Sequence, residues 1–133
     1  MMDERSIMKY AMQFDIADFP ETMCDMAEIG GIMQTLLYAR RFGGTEFYVQ
    51  RWQVGKAPNR ETSNMLTVYR PQHVAGICKI FGGGRIHVKR CSKMMKLIKD
   101  MEINDLNDAG MPKIEVARIT DCSMRHVRQV CNG

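Results

Sequence analysis

The 133-residue sequence predicts an α+β fold, mainly helical, with a small antiparallel β-ribbon flanked by helices and a C-terminal helix-turn-helix. Three observations predict it. The phrase Arg41-Phe-Gly-Gly-Thr-Glu-Phe-Tyr-Val-Gln-Arg51 recurs 39 positions later as Ile80-Phe-Gly-Gly-Gly-Arg-Ile-His-Val-Lys-Arg90. Each copy follows an apolar run of helical spacing, breaks at glycines and resumes as a short strand. After the second copy alone come a lysine-bearing amphipathic segment and two short helical segments.

The first dozen residues, Met1 to Met12, are Met-rich and read as an irregular arm or frayed helix. Asp18-Phe-Pro-Glu21 reads as a helix start, with Pro20 in the first turn and Glu21 near the positive helix end. Met23, Met26, Ala27 and Gly30 follow at helical spacing. The pair Gly30-Gly31 either breaks this helix or admits another backbone closely. Ile32 to Arg41 makes a second helix or a continuation, with Ile32, Met33, Leu36, Leu37 and Ala39 apolar.

Thr45 to Trp52 alternates as a strand, Phe47 and Val49 on one face and Tyr48 on the other. Gln53 to Ser63, with Gly55, Pro58 and Asn59 and almost nothing apolar, reads as an exposed loop. Leu66 to Tyr69 reads as a short strand stopped by Pro71. Val74, Ile77, Cys78 and Phe81 then line one face of a helix that stops at Gly82-Gly83-Gly84. Arg85 to Arg90 is the second strand, with Ile86 and Val88 pointing one way and His87 the other.

Cys91 to Leu106 reads as an amphipathic helix. Met94, Met95, Leu97, Ile98, Met101 and Ile103 are placed mostly inward, with Lys93, Lys96 and Lys99 outward. Asn107 to Pro112 is a turn with Gly110 as C-cap. Lys113 to Thr120 and Ser123 to Cys131 are the last two helices. The expected division is therefore 1–90, a region of two helix–glycine–strand repeats, and 91–133, a basic helix plus helix-turn-helix.

Charge is unevenly distributed along the chain. Up to Arg70 there are 8 Lys/Arg against 9 Asp/Glu, and beyond it 11 against 6. Six of these cations fall between Arg85 and Lys99 with no acid among them. A basic half on a near-neutral half points to a polyanion, most simply nucleic acid, or to no more than a solvated stripe. No apolar run approaches the ~20 residues of a membrane span, and the acidic N-terminus makes a poor signal peptide. Five scattered cysteines without C-x-x-C spacing read as reduced thiols of a cytoplasmic protein.

The last twenty residues carry the chemistry. Ala117 is small where a second helix must cross the first closely, Val116 and Ile119 are available to the core, and Cys122 fills the apolar position after the turn. Ser123 can cap the second helix. There Met124, Val127 and Cys131 share one face, and Arg125, Arg128, Gln129 and Asn132 the other. Arg reads guanine and Gln or Asn reads adenine in a major groove. The candidate DNA-binding set is Ser123, Arg125, His126, Arg128 and Gln129, with Lys93, Lys96 and Lys99 on phosphates. The plainer alternative is a helical hairpin with a solvated face, and Asp121 at the turn, where glycine is usual, leans that way.

The segment Ala75-Gly-Ile-Cys-Lys-Ile-Phe-Gly-Gly-Gly-Arg-Ile-His-Val-Lys-Arg90, then Leu97-Ile-Lys-Asp100, Ile103-Asn-Asp-Leu-Asn107 and the terminal helix pair, resembles the Mor/C family of Mu-like phage transcription activators. The resemblance runs in order from about Val74 to Val130, and Phe19-Pro20 is similar to the start of that family's dimerisation region. It implies an intertwined homodimer, a helix-turn-helix on an imperfect promoter dyad, and contact with host RNA polymerase. Gly82 to Gly84 would then be the helix-to-strand turn, Arg85 to Arg90 the dimer strand, and Ser123 to Cys131 the recognition helix. Phe47, Val49, Ile86 and Val88 would carry strand pairing. Two departures stand out: the extra repeat, which allows the strands to pair within one chain, and a stop at Gly133 without a basic extension.

Enzyme chemistry finds no footing. Gly82-Gly83-Gly84 lacks the Gly-Lys-Ser/Thr of a P-loop, and His73, His87 and His126 share no metal spacing. His73 and Cys78 make no dyad without a third group, and helical spacing reads the 13 methionines as core more than as a binding surface. The expectation is a non-enzymatic regulator on double-stranded DNA, without cofactor, metal, membrane or small-molecule substrate. The alternatives are a phage-encoded protein-binding module, such as an inhibitor of a host defence nuclease, and a purely structural assembly protein.

Overall fold

Glycine and proline punctuate the chain into short helices, and a repeat of fixed length arranges half of them. The structure, a computed structural model, describes residues 3–132. Among these the order is α1 (Glu4–Tyr10), α2 (Glu21–Gly30), α3 (Ile32–Phe42), β1 (Glu46–Tyr48), α4 (Arg60–Leu66), α5 (Pro71–Phe81), β2 (Arg85–His87), α6 (Ser92–Asp108), α7 (Lys113–Thr120) and α8 (Met124–Asn132). The fold is thus α+β and mainly helical, with one two-stranded antiparallel sheet among the described residues. Two compact units result: Ala11–Cys91, and α1 together with the chain from Ser92 onward. The division between the units falls at Cys91/Ser92, with the N-terminal helix in the same unit as the chain after Ser92.

Within Ala11–Cys91 the repeat is longer than the glycine phrase. The helices α2 and α4 begin at Glu21 and Arg60, α3 and α5 span Ile32–Phe42 and Pro71–Phe81, and β1 and β2 begin at Glu46 and Arg85. Every pair is offset by the same 39 positions. The strands pair with each other in the register Glu46–His87, Phe47–Ile86, Tyr48–Arg85. Phe47 and Ile86 occupy the same place in the two copies, so a local pseudo-two-fold axis passes between them. The flanking bonds obey it: Gly44 N–H donates to Val88 O (2.7 Å) as Gly83 N–H does to Val49 O (2.9 Å). Likewise Val49 N–H donates to Gly84 O and Val88 N–H to Thr45 O, both at 2.8 Å.

The pleat sends Val49, Ile86 and Val88 inward and leaves Phe47 half-buried, while Glu46, Tyr48, Arg85 and His87 stay outside. Outside, Arg85 pairs with Glu46 at 3.2 Å and lies over the Tyr48 ring. In the helices the buried positions also correspond: Met26 with Met65, Thr35 with Val74, Tyr38 with Ile77, Ala39 with Cys78. One departure from symmetry explains the glycine pair. The Tyr69 ring occupies the space of a Cβ at Gly30, its hydroxyl donates to Thr35 Oγ1 at 2.8 Å, and Gly31 turns the chain at φ 101°. Gly30 serves the close approach and Gly31 the break.

Several expectations are corrected here. The loop from Gln53 ends at Asn59, because Asn59 Oδ1 accepts from Thr62 N–H at 2.9 Å and caps α4. Leu66 to Tyr69 is accordingly the end of α4 and a turn, not a strand, and Pro71 opens α5. The apolar signal of α4 is only Met65 and Leu66, too sparse for periodicity to find. The first strand is three residues rather than Thr45 to Trp52. Beyond it Gln50 accepts from Asn59 N–H and Thr62 Oγ1, and Trp52 Nε1 donates to Lys56 O, so the chain folds onto its loop.

In the other unit, the Met-rich start forms α1 over Glu4–Tyr10, and Met1 and Met2 lie outside the described residues. Ile7 is fully buried, the Ser6 hydroxyl donates to the Glu102 carboxylate, and Tyr10 Oη donates to Asp105 Oδ2 at 2.5 Å. Burial and the Asp105 carboxylate together raise the Tyr10 phenol pKa well above its ordinary value.

Candidate nucleic-acid interface

The three helices after Ser92 position the candidate residues. In α6, Met94, Ile98 and Ile103 are buried, while Lys93 and Lys96 are exposed and Lys99 half-buried. Leu97 is 42 % exposed, against the expectation that it faces inward. The helix stops as the glycine predicts: Gly110 sits at φ 89°, its N–H reaches Asn107 O, and Met111 N–H reaches Leu106 O.

Pro112 then opens α7, which buries Val116, Ala117 and Thr120. Ile119 is 48 % exposed, and Thr120 takes the inward place expected of it. Thr120 can do so because its hydroxyl donates to Val116 O at 2.7 Å, which satisfies the buried polar atom. Asp121 supplies the left-handed turn at φ 55°, ψ 44°, a conformation that Asp tolerates better than most residues. Its N–H and that of Cys122 both reach Ala117 O.

Ser123 Oγ accepts from His126 N–H at 3.1 Å and caps α8. Val127 is fully buried against Ile103, Val116 and Ala117, and Met124, Val130, Cys131, Leu106, Met111 and Cys122 pack around that core. With Val127 pinned inward, helical geometry turns Arg125, Arg128, Gln129 and Asn132 outward, where they line one shallow depression.

The predicted site residues therefore separate into groups. Arg125, Arg128 and Gln129 stand together on α8, joined by Asn132. Lys96 and Lys99 share a second concavity with Met95 and His126. Lys93 is exposed but lines neither. Ser123 spends its hydroxyl as a cap, and His126 is turned onto α6, its Nε2 at 3.1 Å from Asp100 Oδ1. Sequence reasoning missed Asp100 as that partner; the Asp100–His126 separation of 26 residues gives no local signal. Of the strand residues, Phe47 faces Ile86 directly, and Val49 and Val88 make the bonds that flank them.

All five cysteines are free, and burial pushes the Cys78 and Cys91 thiols up, so thiolate is scarce there at neutral pH. Among the described residues no three His, Cys, Asp or Glu side chains converge on a common point, and no helix is long and apolar enough to cross a membrane. No protein-family model, no curated protein and no solved structure matches the chain.

Proposed function

We propose that the chain is a non-enzymatic, phage-type DNA-binding transcription regulator that reads duplex DNA with α8. The observation that supports this reading is the convergence of Arg125, Arg128, Gln129 and Asn132 on one exposed face of a helix whose other face is anchored by Val127. Two arginines and two carboxamides at that spacing match guanine and adenine edges in a major groove. Lys96 and Lys99, in the concavity beside His126, add a sequence-blind attraction to phosphates.

The resemblance of residues 74–130 to Mor/C activators points the same way, and with it to host RNA polymerase as the partner of the bound protein and to the cytoplasm as its place. The test is titration of a mixed-sequence duplex at low salt. The reading predicts binding whose logarithm falls linearly with log salt; no detectable binding sinks it.

A second reading, a protein-binding module that inhibits a host protein, is favoured by one observation. The ribbon that a dimeric activator would share between chains is completed here by one chain. A host protein captured independently of nuclease treatment and of Arg125 and Arg128 substitution, and then shown to bind the purified chain directly, would favour it.

A further inference from the structure

We infer that a single chain reads a single, unrepeated DNA half-site, a departure from the homodimer on a dyad that the family resemblance implies. This rests on the DNA-binding reading of α8 and names the class of site it takes.

The argument starts from the pseudo-two-fold axis. Phe47 and Ile86 are one position of the repeat and face each other within one chain. The four flanking backbone bonds form two symmetric pairs, and each copy's terminal arginine crosses the other copy's glycines: Arg90 lies against Gly44 and Arg51 against Gly83. Each strand has already found its twin. The helices behind the strands repeat as well, so residues 21–48 and 60–87 are two copies of one helix–helix–strand unit.

The two copies lead to different places. After Arg90 the chain enters α6 and proceeds to the reading helix. After Arg51 it enters a loop held by Gln50 and Trp52 and arrives at α4, the first helix of the second copy. A complete pseudo-dimer therefore carries one reading helix where a true dimer of such units would carry two. Dyad recognition needs two recognition helices about 34 Å apart. The ribbon that would hold them in register is already closed.

Charge gives a second, quantitative handle. Lys93, Lys96, Lys99, Arg125 and Arg128 are the cations this reading assigns to DNA. If all five neutralised phosphates, the slope of log K against log salt would be at most about −4.5, and a dimer would double it to about −9.

The experiment selects binders from duplexes with a randomised core, using the full chain, then weighs the resulting complex by light scattering and measures its salt slope. One chain per duplex, an enriched block shorter than about one helical turn without inverted repetition, and a slope no steeper than about −4.5 are expected. Two chains on an inverted repeat, with a slope near −9, would overturn this inference and leave the DNA-binding reading standing. No retained duplex at low salt would overturn both.

Discussion

Arg51 lies across Gly83: a Cβ built on that glycine would fall 2.7 Å from the arginine's Nη2 and 2.8 Å from its Nε. The same contact recurs 39 positions earlier, where Arg90 lies 2.8 Å from the Cβ position of Gly44. The repeated Gly-Gly and the repeated terminal Arg are thus one device, each copy supplying the arginine that the other copy's glycines admit.

That device ranks five substitutions. At Gly43 and Gly82 a Cβ would meet the carbonyl oxygens of Ala39 and Cys78, and backbone cannot step aside. Gly43→Ala and Gly82→Ala should therefore destabilise most, by about 3 kcal/mol or more. Gly44→Ala and Gly83→Ala meet only a flexible guanidinium but carry φ near 90°, at a cost of about 1–2 kcal/mol. Gly55→Ala, with φ 96° and nothing nearby, pays for φ alone and should be mildest. Denaturant midpoints measure the order; equal effects at Gly55 and Gly82 would contradict it.

The helix at the N-terminus contributes to the unit that carries α8. Ile7 is fully buried, so Ile7→Ala should cost about 2–5 kcal/mol. Melting of the full chain checks this. A change below about 0.5 kcal/mol would mean that the first helix is not packed as described.

How much of this was legible in the sequence depends on the signal each element carries. The terminal helix pair, its Ser123 cap and the outward set Arg125, Arg128 and Gln129 were legible because apolar spacing and capping chemistry are local. The ribbon was legible from repeated glycines. In contrast, α4 is almost wholly polar and its start depends on the Asn59 cap, so it read as loop. The full length of the repeat was hidden because α2 and α4 keep the same residue type at one buried position, Met26 and Met65, while buried Met23 is answered by Thr62. His126 looked like a DNA contact, since nothing local marks Asp100 as its partner. Ile119 and Thr120 exchanged roles because one intrahelical hydrogen bond makes a buried threonine cheap.

The Asp100–His126 contact fastens α8 to α6, with side chains 27 % and 31 % exposed. Asp100→Ala should lower stability by about 0.5–1.5 kcal/mol, as expected for one part-exposed hydrogen bond. It should also weaken DNA binding without altering sequence preference. Unchanged melting would show that the contact holds nothing in place.

Alkaline pH should destabilise the chain. The Cys91 thiol is pushed up to about 11 from 9.0 by burial, and burial raises the Tyr38 and Tyr69 phenols too. The folded chain keeps these protons after the unfolded chain has released them. The Cys91 contribution is fully present below pH 9.0 and is lost as pH rises through about 11. The two phenols, whose contribution begins to fall only near pH 10.0, extend the loss to higher pH. Melting temperatures across that window should fall; a rise would contradict the assignment.

Arg128 and Lys96 should separate by kind. Arg128→Ala should cost about 1–3 kcal/mol on a preferred duplex and relax preference at one base. Lys96→Ala should weaken all duplexes alike and reduce the salt slope by about 0.9. Loss of sequence preference on removing Lys96 instead would misassign both.

The most direct test of the account compares the wild-type chain with Arg125→Ala/Arg128→Ala by fluorescence anisotropy on one duplex at low salt, with melting measured alongside. Both side chains are exposed, so the fold should be untouched. The account predicts an affinity lower by at least about 10-fold, the equivalent of ~1.4 kcal/mol, at unchanged stability. Equal affinity of the two proteins would contradict it.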